Sequence, residues 1–295
     1  MLKDFGQLLT AMVTPFDARG KVDLGAAREL ALMLVDSGSD GLVVAGTTGE
    51  SPVIPEEEKI RLFRAVKEAV GDRATVIANT GNYNTEESIK LSREAQELGV
   101  DGVMLVVPYY NRPNQEGLYQ HFKAIASSIE LPVLLYNVPS RTGRNLEPET
   151  VKRLAEMENI IAVKEAAGDM DQVSQLRNVT PPDFLIYSGD DSLTLPMLAL
   201  GAHGVVSVAS HLVGKRIKEM IIAFKEGKVK IAQSIHAELF PLMRAMFLTT
   251  NPVPVKTALK LMGYPVGDVK LPLVPLNEAE LDKLKAVLRQ YNLVS

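Results

Sequence analysis

Short runs of apolar, mostly β-branched residues recur along the chain. Each is followed by a longer stretch in which apolar positions return with helical period. The runs are Leu8–Val13, Leu42–Ala45, Ala74–Ala78, Val103–Val107, Val133–Tyr136, Ile160–Lys164, Phe184–Tyr187 and Val205–Val208. Runs that are apolar almost throughout suit strands buried on both faces of a parallel sheet. The intervening stretches carry helix-end signals. Asp23 is placed to cap a helix whose apolar face is Leu24, Ala27, Leu30, Ala31 and Leu34, and Ser37-Gly38 suits its exit. Pro55 takes a first-turn position ahead of Glu56, Glu57 and Glu58, acids at the positive end of the helix dipole, and Gly71 stops that helix. Thr85 is expected to cap the next, with Gly99 after its end, and Asp169 to cap a short helix after the sixth run.

Eight strand–helix units that close on themselves make a (β/α)8 TIM barrel, an α/β fold, here over residues 1–227. The alternative is an open doubly wound sheet, but eight regular units without a switch point favour closure. From Lys228 the strand signal vanishes. Helical periodicity continues through Ile231, Ile235, Leu239 and Met243, then Thr257–Met262, then Glu278–Tyr291. With no flexible linker before it, the stretch 228–295 reads as a C-terminal helical extension packed on the barrel, not an independent domain.

With 295 residues and 46% hydrophobic content, there is enough apolar material for one large core. Net charge is only -4 and no segment concentrates basic residues, so no nucleic-acid footprint is expected, nor adsorption to an anionic membrane. The chain has no cysteine, which excludes disulfides, thiolate catalysis and Cys-ligated metals. Met1-Leu2-Lys3-Asp4-Phe5-Gly6 lacks the basic-then-apolar order of a signal peptide. The longest apolar runs fall well short of the about 20 residues that span a bilayer. The expectation is a soluble cytoplasmic protein.

Active sites of such barrels lie where the strands end. Lys164 closes the run Ile160-Ile161-Ala162-Val163, so its side chain should emerge at an apolar rim. Desolvation disfavours an ammonium and frees the amine as a nucleophile, as Schiff-base formation with a carbonyl requires. A salt bridge to Glu165 or another strand-end acid is the structural alternative. Tyr136 ends the adjacent run, and a phenol beside an amine can shuttle protons. Thr47 and Thr48 lie between Gly46 and Gly49, where backbone amides and hydroxyls could cradle a carboxylate, or simply make a tight turn. Arg141, in Pro139-Ser140-Arg141-Thr142-Gly143, could clamp a carboxylate or merely be solvated. Tyr109-Tyr110 is an aromatic pair suited to packing within or between subunits. His121, His203, His211 and His236 are scattered without metal-ligand spacing, and His203 falls at the opposite end of the barrel. Asp190-Asp191 reads as a helix start more than a metal site, and no nucleophile elbow is present.

Four segments carry a family resemblance. Gly-Thr-Thr-Gly-Glu at 46–50, Pro-Tyr-Tyr-Asn-Arg-Pro at 108–113, Tyr-Asn-Val-Pro-Ser-Arg-Thr-Gly at 136–143 and Val-Lys-Glu-Ala at 163–166 resemble the dihydrodipicolinate synthases. The likeness covers nearly the whole chain, including Asn251-Pro252-Val253-Pro254-Val255-Lys256. The wider group includes N-acetylneuraminate lyase and 2-keto-3-deoxy sugar-acid aldolases. The resemblance implies that Lys164 forms an imine with pyruvate and that Tyr136 is its acid–base group. Thr47 and Tyr110 would relay protons, Tyr110 being lent by a neighbouring subunit. Thr48 would bind the pyruvate carboxylate, and Arg141 the carboxylate of aspartate semialdehyde. Gly189 and Val206 would line the pyruvate site. No metal or organic cofactor is implied, and the expected assembly is a homotetramer, a dimer of dimers.

Within the wider group, Arg141 and Asn111-Arg112-Pro113 favour a synthase over a lyase, since the lyases have Gly-Ser-Thr-Gly-Glu at 46–50. A keto-acid sensor without turnover would not need the relay Lys164, Tyr136, Thr47 and Tyr110. Feedback by lysine is where the chain departs from sensitive members. Lys59 stands where they often have histidine, and Pro52, Glu56 and Tyr83 also differ, while Glu87 and Tyr109 are kept. Weak or absent inhibition is expected.

Overall fold

Eight short strands form in the order of the apolar runs: β1 (Leu8–Ala11), β2 (Gly41–Val44), β3 (Thr75–Asn79), β4 (Gly102–Val106), β5 (Val133–Asn137), β6 (Ile160–Glu165), β7 (Leu185–Ser188) and β8 (Gly204–Ser207). In this computed structural model, which describes residues 4–295, each strand pairs in parallel with the next, and β8 returns to β1 through Leu9 opposite Val206. The closed barrel follows the expectation and excludes the open sheet. Met1–Lys3, part of the stretch read for a leader, lie outside the described residues.

Alternation along each strand separates two apolar layers. Leu9, Val43, Ile77, Met104, Leu134 and Ala162 fill the barrel interior. Leu42, Val103, Leu135 and Val163 face outward and meet the helices. The first of these are α1 (Leu24–Asp36), α2 (Glu56–Val70), α3 (Thr85–Glu97) and α4 (Gln115–Ala126); two short helices follow, α5 (Pro139–Thr142) and α6 (Pro148–Leu154). The ring is completed by α7 (Met170–Val179), α8 (Thr194–Ala199) and α9 (Ser210–Lys225). Leu30 and Leu34 of α1, Phe63 and Val66 of α2 and Phe122 of α4 are buried against the barrel's outer layer.

Most helix ends follow their sequence signals. Asp23 accepts from the Ala26 amide, and Asp169 accepts from the amides of Asp171 and Gln172. Two assignments are corrected. Pro55 is the cap residue of α2, one position ahead of the first turn. Asn84, not Thr85, caps α3, accepting from the Glu86 and Glu87 amides, while the Thr85 hydroxyl lies 2.9 Å from His121 Nδ1. Asp190 accepts from the Ser192 amide, and Asp191 turns into the protein to accept from the Ser207 hydroxyl and from the amides of Val208 and Ala209. Both carboxylates are thus spent on helix and strand ends.

Beyond the ring come α10 (Val229–Ala245), α11 (Val253–Leu261) and α12 (Glu278–Gln290). α10 buries Ala232, Ile235, Leu239, Leu242 and Met243 and packs on α9 and α12. At the amino ends of the strands, His203 Nε2 lies 3.3 Å from Asp4, as its position before β8 predicts. No helix among the described residues is long and apolar enough to cross a membrane.

Candidate active site

Ala162 points into the barrel, so Lys164, two residues on along β6, points there as well. Lys164 is 5% exposed, and its Nζ sits 4.1 Å from the centre of the Tyr136 ring. Tyr136 pairs with Lys164 in the β5–β6 register, which is why two residues 28 positions apart come side by side. Glu165 faces the other way. Its carboxylate accepts from Asn137 Nδ2, the Ala167 amide and Gln172 Nε2, so the salt bridge to Lys164 does not form. Burial pushes the Glu165 carboxyl above the ordinary range, and those hydrogen bonds oppose the push. Past the end of β7, a Cβ on Gly189 would lie 2.6 Å from Ala166 Cβ and 3.2 Å from Lys164 Cε. A larger residue there would push against the lysine. Val206 on β8 belongs to the same interior cluster as Tyr136.

The turn after β2 is held in an uncommon shape. Ala45 and Glu50 have φ of 53° and 57°, left-handed values that cost energy for residues with a Cβ. The Glu50 amide donates to Thr47 O and the Ser51 amide to Gly46 O. The amides of Thr47, Thr48 and Gly49 have no acceptor among the described residues. Three such donors in one turn form a concavity suited to an anion. The Thr48 side chain is buried and its Oγ1 accepts from Asn251 Nδ2 at 2.9 Å. Lys256 Nζ donates to Glu50 Oε1 at 2.9 Å and to the carbonyls of Thr14 and Asp268, both at 3.0 Å. Burial pushes Lys256 below the usual lysine range, while Glu50 pulls it back up. Beside the turn opens a cleft of about 190 Å³ whose lining includes Thr47, Ser51, Pro52, Asn79, Val106 and Arg141. Val106 is the β4 partner of Tyr136, so the cleft lies over the strand ends next to the Lys164–Tyr136 pair.

Residues 4–291 match the Dihydrodipicolinate synthetase family. The chain belongs to that family. It is 61% identical over 290 residues to the 4-hydroxy-tetrahydrodipicolinate synthase of Moorella thermoacetica, covering 98% of this chain and 99% of that one. It is 58% identical to the enzyme of that name from Desulforudis audaxviator, covering 100% of both chains. Among solved structures, DHDPS from Cyanidioschyzon merolae with lysine bound superposes with a TM-score of 0.97 at 47% identity, covering 98% of this chain and 99% of that one. The dihydrodipicolinate synthase structure from Bacillus anthracis gives 0.95 at 51% identity, over 97% and 98% of the two chains.

Other candidates fall into two groups. Arg141 is exposed on α5 at the cleft rim, open to an incoming anion. Tyr110, by contrast, is 93% exposed with φ 72°. Residues expected to bear on lysine feedback lie nearby. Tyr83 and Tyr109 meet edge-to-face at 5.1 Å, and Pro52 and Tyr109 also line the cleft. Burial pushes Lys59 below the usual lysine range, against the upward pull of Glu56 and Glu87. Burial raises Tyr109, and Tyr83 and Glu87 add to the effect. Sequence reasoning assigned no role to Ser51, Asn79, Asn251 or Lys256. Asn79 at a strand end was a visible signal. Asn251 and Lys256 had only their place in a family-like segment. Among the described residues no group of three or more His, Asp or Glu is gathered to hold a metal.

Proposed function

We propose that this chain condenses pyruvate with aspartate 4-semialdehyde to give 4-hydroxy-tetrahydrodipicolinate, in lysine and diaminopimelate biosynthesis, through an imine on Lys164. One observation carries the reading: a lysine buried at the end of a barrel strand, its Nζ 4.1 Å from the ring centre of a strand-end tyrosine. The amine adds to the pyruvate carbonyl, and the carbinolamine loses water to give a protonated imine, with Tyr136 moving the protons. The imine is the electron sink, so a methyl proton leaves and an enamine forms; no metal or organic cofactor is invoked. The enamine carbon attacks the aldehyde, whose oxygen takes a proton. The amine of the semialdehyde then attacks the imine carbon, releases Lys164 and closes a six-membered ring.

The remaining roles are those the family resemblance implies. Thr48 and the free amides of its turn receive the pyruvate carboxylate. Gly189 and Val206 shape the pocket around the imine. Arg141 at the rim receives the semialdehyde carboxylate by charge-assisted hydrogen bonds. Thr47 relays protons with Tyr110, which a second copy of the chain supplies in a homotetramer built as a dimer of dimers. The enzyme works in the cytoplasm. The test is reduction with borohydride in the presence of pyruvate, followed by peptide mass mapping. The expected adduct lies on Lys164 and is lost in Lys164→Ala. No adduct, or one on another lysine, would sink the reading.

A further inference from the structure

The helical extension reaches the turn after β2 at both ends. Asn251 donates to Thr48 Oγ1, and Lys256, five residues on, holds Glu50. Lys256 and Glu50 have side chains only 2% and 1% exposed, and the second Glu50 oxygen accepts from the Lys270 amide at 2.8 Å. An ion pair this buried has few other geometries open to it. It therefore fixes the turn against the stretch that carries Asn251.

A threonine hydroxyl has one proton to donate and two lone pairs that accept. The Asn251 N–H occupies a lone pair of Thr48, and the Thr48 proton has no acceptor among the described residues. Thr48 belongs to the same turn as the amides of Thr47, Thr48 and Gly49, which also have no acceptor among the described residues. The opposite amide orientation would let Asn251 consume it. Asn251 is 6% exposed, and its Oδ1 is buried without a partner, so no second hydrogen bond explains its placement.

We infer that Asn251 is a positioning residue for the substrate carboxylate: it turns the Thr48 hydroxyl into a donor aimed at the anion held by the turn. The inference rests on the reading in which Thr48 receives the pyruvate carboxylate. It extends that site to the helical extension, 203 residues away in sequence.

The test compares borohydride trapping of two ketones on Lys164: pyruvate, and acetone, which offers the same carbonyl without a carboxylate. In Asn251→Ala, trapping of pyruvate slows by about tenfold, the size expected for weakening one hydrogen bond to a charged group. Trapping of acetone stays within about twofold of the parent. Asn251→Asp, nearly the same shape, accepts the Thr48 proton and adds a like charge, so it loses at least as much; it also serves should Asn251→Ala fail to fold. In a Thr48→Val background, Asn251→Ala brings no further loss, because the group it orients is gone. Equal slowing of both ketones would mean a merely structural role and overturn the inference, as would unchanged pyruvate trapping. If the unmutated protein traps no pyruvate, the Schiff-base reading falls and takes this inference with it. If it traps pyruvate and the variants do not discriminate, this inference alone falls.

Discussion

His211 is wedged between backbone groups that fix its tautomer. Nδ1 lies 2.8 Å from Val208 O and donates to it, and Nε2 accepts from the Val13 amide at 3.1 Å. Protonating Nε2 would set two donors face to face inside a dry core. Burial accordingly pushes His211 down to about 4, from an ordinary value near 6.5. His121, 6% exposed, is likewise pushed down to about 4 by burial. The sign follows from linkage: with the folded value depressed, the unfolded chain binds more protons between the two values. Stability is full above about pH 6.5 and falls as pH drops toward 4, by about 3 kcal/mol for each such histidine. Denaturant unfolding between pH 7 and 4 should show that decline, and His211→Gln, which cannot titrate, should flatten it. An unchanged slope in the variant would refute the assignment. Residues of this kind differ in how far the sequence discloses them. Lys164 is legible because a cation closing an apolar run is chemically anomalous, and the anomaly is local. Asn251 and Lys256 are not, since their partners Thr48 and Glu50 lie 203 and 206 positions away. Nothing within a local window marks a buried amide as different from any other asparagine.

At the scale of elements, strand ends and helix starts were readable because side-chain alternation and capping are local rules. Asp23 and Asp169 cap where the pattern placed them. Thr85 failed because two adjacent residues were both competent caps, and a distant ring, His121, engages the second. Local rules alone do not assemble the neighbourhood of Lys59, which the family resemblance supplied: α2 brings Glu56 and Lys59, α3 brings Glu87, and Tyr83 and Tyr109 come from the turns beside them. A lysine molecule entering there would set its ammonium near the Lys59 ammonium, a like-charge contact that burial strengthens. Activity assayed against added lysine should therefore be insensitive at sub-millimolar concentration, and Lys59→His should increase the response. Half-inhibition of the unmutated enzyme in that range would contradict this.

For the whole molecule, eight apolar runs in βα alternation sufficed to anticipate a closed barrel, because parallel strands need crossovers and closure leaves no edge. Assembly is less legible from one chain. In the proposed assembly Tyr110, 93% exposed in the single chain, is supplied to another copy. That arrangement predicts complementation. Lys164→Ala and Tyr110→Phe chains, each nearly inactive alone, should regain activity when unfolded together and reassembled, because some mixed sites join an intact lysine to an intact tyrosine. A mixture no more active than its components would place Tyr110 outside the shared site.

The clasp between Glu50 and Lys256 also has a temporal meaning. Its acid belongs to the second strand–helix unit and its base to the eleventh helix, with 206 positions between them. Synthesis proceeds from the amino terminus, so Lys164 and Tyr136 leave the ribosome well before Lys256 does. Until it arrives, Glu50 has no cation to pair with, and the turn bearing Thr48 rests on the bonds to Thr14 and within itself alone. On the proposed mechanism, a growing chain therefore carries its reactive amine before the clasp behind the Thr48 turn can close.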